Sequence, residues 1–179
     1  MTGTRIHFGT DHAGFELKNH LVEHFRSLGF ECVDHGAATY DAQDDYPAYC
    51  IAAAEAVRHD VGSLGVVIGG SGNGEQLAAN RVTGIRAILA WSTQTAQLGR
   101  QHNNAQVVAV GARMHTVEEA TAIVEAFINE PFSNDARHQR RIDEMTNYEA
   151  KREAGLYAGK SSAGAGALFP TDIWDSYRS

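Results

Sequence analysis

The chain has 179 residues, enough for one domain with a full core and short for two. Apolar residues make up 43% and charged residues 21%, an ordinary soluble balance, and the net charge of −7 argues against a nucleic-acid partner, whose phosphates need clustered cations. No apolar run approaches a membrane span, residues 1–8 do not read as a secretory leader, and Cys32 and Cys50 form no CxxC pair, so core cysteines in a reducing cytoplasm are expected rather than a disulfide scaffold or zinc site.

A first strand is expected over residues 5–8, with Gly9-Thr10-Asp11-His12-Ala13-Gly14 as its exit loop. Leu17, Leu21, Val22, Phe25 and Leu28 then fall on one helical stripe, which Gly29 stops. A second strand covers 30–33, and a polar loop over 34–45 leads to Tyr46-Pro47, with proline in the first turn of a helix. That helix carries an alanine-rich face and ends near His59 and Asp60. Residues 64–68 are a short, β-branched, uninterrupted apolar run, the mark of a strand covered on both faces. Gly69, Gly70, Gly72 and Gly74 break it, and a helix is expected from Glu75. After Gly84 a fourth strand covers 86–90, Ser92 or Thr93 caps a helix to about His102, and a fifth strand covers 107–110. Thr116 and Glu119 have capping-box spacing before Ala120, Ile123, Val124 and Phe127. A last helix is expected from near Ser133 or Asn134 to about Arg152.

Strand and helix alternate at crossover spacing. This predicts an α/β fold: a doubly wound, mainly parallel five-stranded sheet with helices on both faces, the three-layer sandwich of Rossmann- and flavodoxin-like proteins. Ligands in such sheets sit beyond the carboxyl ends of the strands. The loops carrying Asp11 and His12, residues 71–75, and Arg113 all belong to that edge. One domain over 1–153 is expected, followed over 154–179 by a Gly/Ala/Ser-rich linker and a tail whose apolar residues could dock on this or a neighbouring subunit.

The glycine loop is the chemical centre of the chain. Its backbone N–H groups can approach an anion closely, at the positive end of the following helix. The run Gly70-Ser71-Gly72-Asn73-Gly74-Glu75 is neither a dinucleotide fingerprint nor a Walker loop, since glutamate replaces the last glycine and no lysine follows. A carboxylate there would repel a pyrophosphate, and it suits proton transfer. Arg137 and Arg141, four apart, share one helix face near its start. Their charges oppose each other and the helix dipole, a cost that an anion such as phosphate would remove. Asp11-His12 and His102-Asn103-Asn104 are polar, but local sequence alone reads them as an Asx turn and a helix C-terminus.

Taken together, Asp11-His12-Ala13-Gly14, the run from Gly69 to Glu75, His102-Asn103-Asn104-Ala105, Gly111-Ala112-Arg113 and Arg137-His138-Gln139-Arg140-Arg141 resemble, in order, the type B ribose-5-phosphate isomerases of the family shared with galactose-6-phosphate isomerase. The resemblance covers about residues 4–152 and is nearest the actinobacterial branch with Ser-Gly-Asn-Gly-Glu. Many family members use a cysteine base where this chain has Ser71, and a serine hydroxyl is too weak an acid to replace it. In the glutamate branch the residue at Glu75 is the base.

The resemblance implies an aldose–ketose isomerase of the non-oxidative pentose phosphate pathway, interconverting D-ribose 5-phosphate and D-ribulose 5-phosphate without metal or redox cofactor. His102, assisted by Asp11, would open the furanose, and Glu75 would move a proton between C2 and C1 through a cis-enediolate. The Ser71 hydroxyl and the N–H groups of Gly70, Ser71, Gly72, Asn73 and Gly74 would form an anion hole. His12, Arg113, Arg137 and Arg141 would hold phosphate, with His138 nearby. It also implies a homodimer, or a tetramer, with shared sites, His102 and Arg113 coming from the partner of the subunit that supplies Glu75. The alternatives are an isomerase of galactose or allose 6-phosphate and a non-catalytic sugar-phosphate-binding module.

Overall fold

The computed structural model describes residues 4–155. The chain divides into two compact units, Met1–Ile142 and Asp143–Ser179. The first carries β1 (Arg5–Thr10), α1 (Phe15–Ser27), β2 (Glu31–Asp34), α2 (Tyr46–His59), β3 (Leu64–Gly69), α3 (Asn73–Ala79), β4 (Ala87–Leu89), α4 (Thr93–Asn103), β5 (Val107–Gly111), α5 (Val117–Asn129) and the opening turns of α6 (Ala136–Glu153). The described part of the second unit is the remainder of α6 and the residues up to Gly155. The expected linker and apolar tail fall, from residue 156 onward, outside the described residues.

The sheet is wholly parallel, in the order β2-β1-β3-β5-β4. From β1 the chain first goes outward to β2 and then back across to β3, which makes the β1/β3 seam the reversal point. Beyond it the chain skips a place: β4 takes the edge, and β5 fills the gap beside β3. The glycine loop after β3 and the loop after β5 are therefore neighbours, with Ala112 N–H donating to Gly69 O (2.7 Å) and Arg113 N–H to Gly70 O (3.1 Å).

Alternation along the central strands fills two cores. Val66 and Ile68 of β3 and Val108 and Val110 of β5 pack with α1, α4 and α5. Val67, Val107 and Ala109 point the other way, against α2 and α3. Every residue of β3 and β5 is buried, as a strand covered on both faces must be. The alanines of α2 serve close approach: a Cβ on Gly9 of β1 would lie 2.6 Å from the Tyr49 carbonyl oxygen. Both cysteines are buried core residues, as expected.

Caps formed largely where the spacing placed them. Ser92 caps α4 in a capping box with Thr95, and Thr116 caps α5 in one with Glu119. Two starts differ. Helix α3 begins at Asn73, with Gly72 turned left-handed (φ 83°) ahead of it, so Glu75 lies inside its first turn. Helix α6 begins at Ala136 because residues 133–135 form its entry: Asn134 is left-handed (φ 55°), and Asp135 Oδ1 accepts the Arg137 N–H.

Candidate active site

A cleft of about 560 Å³ opens where β1, β3 and β5 end, lined by Asp11, His12, Ala13, Tyr46, Gly70, Ser71, Gly74, Glu75, Arg113 and Met114. Glu75 is only 5% exposed. Its carboxylate is folded back onto Gly69, filling the space a side chain there would need. Burial pushes this carboxyl above the ordinary carboxylate range; the charge of Asp11 pushes the same way, against backbone N–H donors at Glu75 and Gly72 that pull it down. Beneath it in α2, burial followed by the charges of Glu75 and Asp11 pushes the Cys50 thiol up, so it stays neutral.

Asp11 is also buried, and its Oδ1 accepts the Ala13 N–H (2.9 Å), capping a 3-10 turn at His12–Gly14. Thr10 beneath it donates its hydroxyl to the Ile68 carbonyl (2.7 Å), tying the ends of β1 and β3 together. His12 is half-buried and gripped by Asp44, whose Oδ1 accepts its backbone N–H (2.8 Å) and meets its ring Nδ1 (2.9 Å). That bond, outweighing partial burial, raises the His12 pKa, with Asp11 4.0 Å from the same nitrogen adding to it. Donor atoms of Asp11, His12 and Asp44 lie within 4.8 Å of one another, close enough to share a cation, although His12 and Asp44 already satisfy each other.

Ser71 Oγ accepts from Asn73 Nδ2 (3.1 Å) and from the Asn73 N–H (3.4 Å), so its own hydroxyl is placed to donate. Of the five N–H groups expected in the anion hole, that of Asn73 therefore faces Ser71, and that of Gly72 faces Glu75. Gly74 packs on Tyr46, where a Cβ would lie 2.6 Å from the phenol oxygen. Arg113 lies against Gly70, its Nη1 3.4 Å from where a Cβ would stand.

The expected origin of Arg113 is thereby corrected. It shares the cleft with Glu75 of its own chain, because β5 lies beside β3 and hydrogen bonds pin its loop to the glycine loop. His102, Arg137, His138 and Arg141 are not among the cleft-lining residues. His102 ends α4, and the chain turns from there into the start of β5, so it lies at the opposite strand edge. The α6 entry is tied to the same place by the Ser133 N–H on the Gln101 carbonyl (3.2 Å). There the His102 and His138 rings meet at 4.2 Å, and Asp135 Oδ2 pairs with Arg137 Nε at 3.2 Å. His138 is 4% exposed, with Nδ1 on Ser133 Oγ (2.9 Å), which removes it from a surface cluster open to phosphate.

Sequence reasoning missed Asp44, Tyr46 and Met114. In the sequence Asp44 sits in a polar loop with no pattern of its own, and Tyr46 marks only a helix start. The signal available was their clustering, Asp44-Asp45-Tyr46-Pro47, just ahead of a helix that must pack on β1.

The ribose/galactose isomerase family model matches residues 6–145. The chain belongs to the ribose/galactose isomerase family. Within the family it is 59% identical over 154 residues to ribose-5-phosphate isomerase B of Mycobacterium tuberculosis, covering 86% of this chain and 95% of that one. It is 38% identical over 148 residues to the Escherichia coli ribose-5-phosphate isomerase B, covering 83% and 98%. The crystal structure of the Mycoplasma genitalium enzyme with bound ribulose-5-phosphate superposes with a TM-score of 0.80 at 38% identity, covering 84% of this chain and 99% of that one. The family therefore accounts for the wholly parallel three-layer fold observed here.

Proposed function

We infer that this chain is an aldose–ketose isomerase interconverting D-ribose 5-phosphate and D-ribulose 5-phosphate. The observation that carries the mechanism is the buried Glu75 carboxylate, facing the cleft beside Asp11 with a raised pKa. A carboxyl pushed up toward working pH is a stronger base once ionised than a solvated one. Glu75 removes the proton from C2 of the open-chain aldose. The C2–H electrons form the C1–C2 double bond and push the carbonyl pair onto O1. The hydroxyl proton then passes from O2 to O1, and the same carboxylate returns its proton to C1 of the cis-enediolate as the C2 carbonyl forms. One carboxylate on one face serves both carbons. The Ser71 hydroxyl and the N–H groups of Gly70, Ser71 and Gly74 steady the charge on oxygen, where a lost donor typically costs about 10²–10³ in rate.

His12 and Arg113 supply cations from the chain that bears Glu75. Arg137, Arg141 and His102 reach this cleft from a second copy. Topology supports that arrangement: α4 has 11 residues and runs from the cleft edge to the far edge, about 16 Å at 1.5 Å per residue. A homodimer with sites shared between subunits brings the two sets together. In the shared site Asp135 engages Arg137 Nε, and the two Nη groups are the donors a phosphate takes. His102, assisted by Asp11, opens the furanose before enolisation. Among the described residues no helix is long and apolar enough to cross a membrane, and the reading places the enzyme in the cytoplasm, in the non-oxidative pentose phosphate pathway.

The test is turnover of ribose 5-phosphate by wild type and Glu75→Gln, with allose and galactose 6-phosphates in parallel. Wild type should convert the pentose in preference to either hexose. The variant should still bind ribose 5-phosphate and lose about 10²–10⁴ in kcat. A variant that keeps most of its rate would remove Glu75 as the base.

A further inference from the structure

His138 lies in a run of basic residues on α6 whose neighbours Arg137, Gln139, Arg140 and Arg141 are exposed, yet it is 4% exposed itself. Its ring sits against that of His102, centroids 4.2 Å apart and planes inclined by 39°. On its other side Nδ1 meets Ser133 Oγ at 2.9 Å. Ser133 is anchored twice: its backbone N–H donates to the Gln101 carbonyl at 3.2 Å, and its Oγ accepts the Asp135 N–H at 3.3 Å. Since Gln101 directly precedes His102 in α4, the contacts close a loop. They run from the backbone beside His102, through Ser133, to the His138 ring, and back to the His102 ring.

An imidazole at a helix end has side-chain torsions of its own, and His102 is only half-buried. A proton carrier must present its nitrogen within hydrogen-bond reach of the sugar oxygen, so those torsions must be restricted. We propose that His138, held by Ser133, is a positioning residue for His102, fixing the imidazole that opens the sugar ring, and that it does not bind phosphate. The proposal rests on the reading of His102 as the ring-opening group. Burial first, then the neighbouring charges of His102 and Arg137, hold His138 below the usual histidine range, so at neutral pH it is an uncharged neighbour. A charged one would repel the imidazolium that His102 becomes on taking a proton. With Ser133 Oγ accepting from Asp135, its O–H is placed to donate to Nδ1, which keeps the His138 ring in one orientation.

The two directions of the reaction separate this role from a general structural one. Ribose 5-phosphate is mainly a furanose and must be opened. Ribulose 5-phosphate is acyclic, because its C5 oxygen is esterified and no other hydroxyl can close a five-membered ring on C2. Exchange of its C1 proton for solvent deuterium therefore needs Glu75 and the enediolate but no ring opening. Ser133 is exposed, so Ser133→Ala should fold; His138→Asn keeps a polar atom near the Nδ1 position but removes the ring.

Both variants should lose about ten- to a hundred-fold in kcat on ribose 5-phosphate, with KM little changed. Deuterium exchange into ribulose 5-phosphate should stay near wild type, and Ser133→Thr, which retains the hydroxyl, should recover turnover. His102→Asn should show the same split more severely. The proposal is overturned if Ser133→Ala and His138→Asn turn over ribose 5-phosphate normally while His102→Asn does not, or if exchange falls in step with turnover. A rise in KM for both sugars at unchanged kcat would return His138 to phosphate binding. If His102→Asn itself shows no selective loss, the ring-opening assignment fails first and takes the proposal with it.

Discussion

The Glu75 carboxylate occupies the volume that a side chain on Gly69 would fill, so the last residue of β3 and the proposed proton carrier of α3 share one space. Gly69 is not left-handed, and crowding rather than backbone strain reserves the position for glycine. Gly69→Ala should therefore fold, with Glu75 forced out of its seat. Displacing a reacting group by about 1 Å can cost on the order of 10²-fold, so kcat should fall at least that far. Kinetics on ribose 5-phosphate beside a thermal melt would check it, a full-rate variant being the contrary result.

Burying Glu75 should cost stability at neutral pH. Its folded pKa is raised, so the fold favours the protonated form, and its contribution to stability is lost as pH rises through that pKa. Glu75→Gln removes the ionisation. The variant should melt above wild type at pH 7.5, with the gap closing as pH drops below the ordinary carboxyl value of 4.5. Melting curves at several pH values would show whether the gap follows that trend.

Asp44 should govern the pH dependence of substrate binding through His12. The Asp44 carboxylate raises the His12 pKa, so the imidazolium persists to higher pH and is lost as pH rises through the raised value. In Asp44→Asn that loss should occur at lower pH. KM for ribose 5-phosphate should then begin to rise at a more acidic pH than in wild type, with kcat at saturation less affected. Identical KM–pH profiles would exclude the coupling.

Shared sites should allow complementation. Glu75→Gln and His102→Asn chains are each expected to be inactive alone on ribose 5-phosphate. On the shared-site reading, a mixed dimer has one complete site, with Glu75 from one chain and His102 from the other. Equimolar, fully exchanged chains should recover about a quarter of wild-type activity, since half of the dimers are mixed and half of their sites intact. No recovery after verified subunit exchange would place the whole site within one chain.

Local pattern carries far in this chain. The β-branched run at 64–68, the stripe from Leu17 to Phe25, and the cap pairs Ser92 with Thr95 and Thr116 with Glu119 act through neighbouring residues, and they formed close to where spacing puts them. Glu75 was also legible, because a glutamate leaving a glycine loop is a local contradiction of a phosphate cradle. Asp44 and Tyr46 were not, because a polar loop acquires a role only through what it packs against.

Strand alternation by itself determined the fold class and the strand edge that bears the cleft, since both follow from side chains a few positions apart; the family was legible only through the resemblance of five motifs in order. Strand order was decided only in three dimensions. By inserting β5 between β3 and β4, the fold sets Arg113 against Gly70 in the same chain and leaves His102 at the far edge with His138. The physical reason is that sequence spacing records which face of an element is apolar, whereas the lateral order of strands depends on which long-range packing buries those faces best. The divided placement of the charged groups is a consequence of that packing.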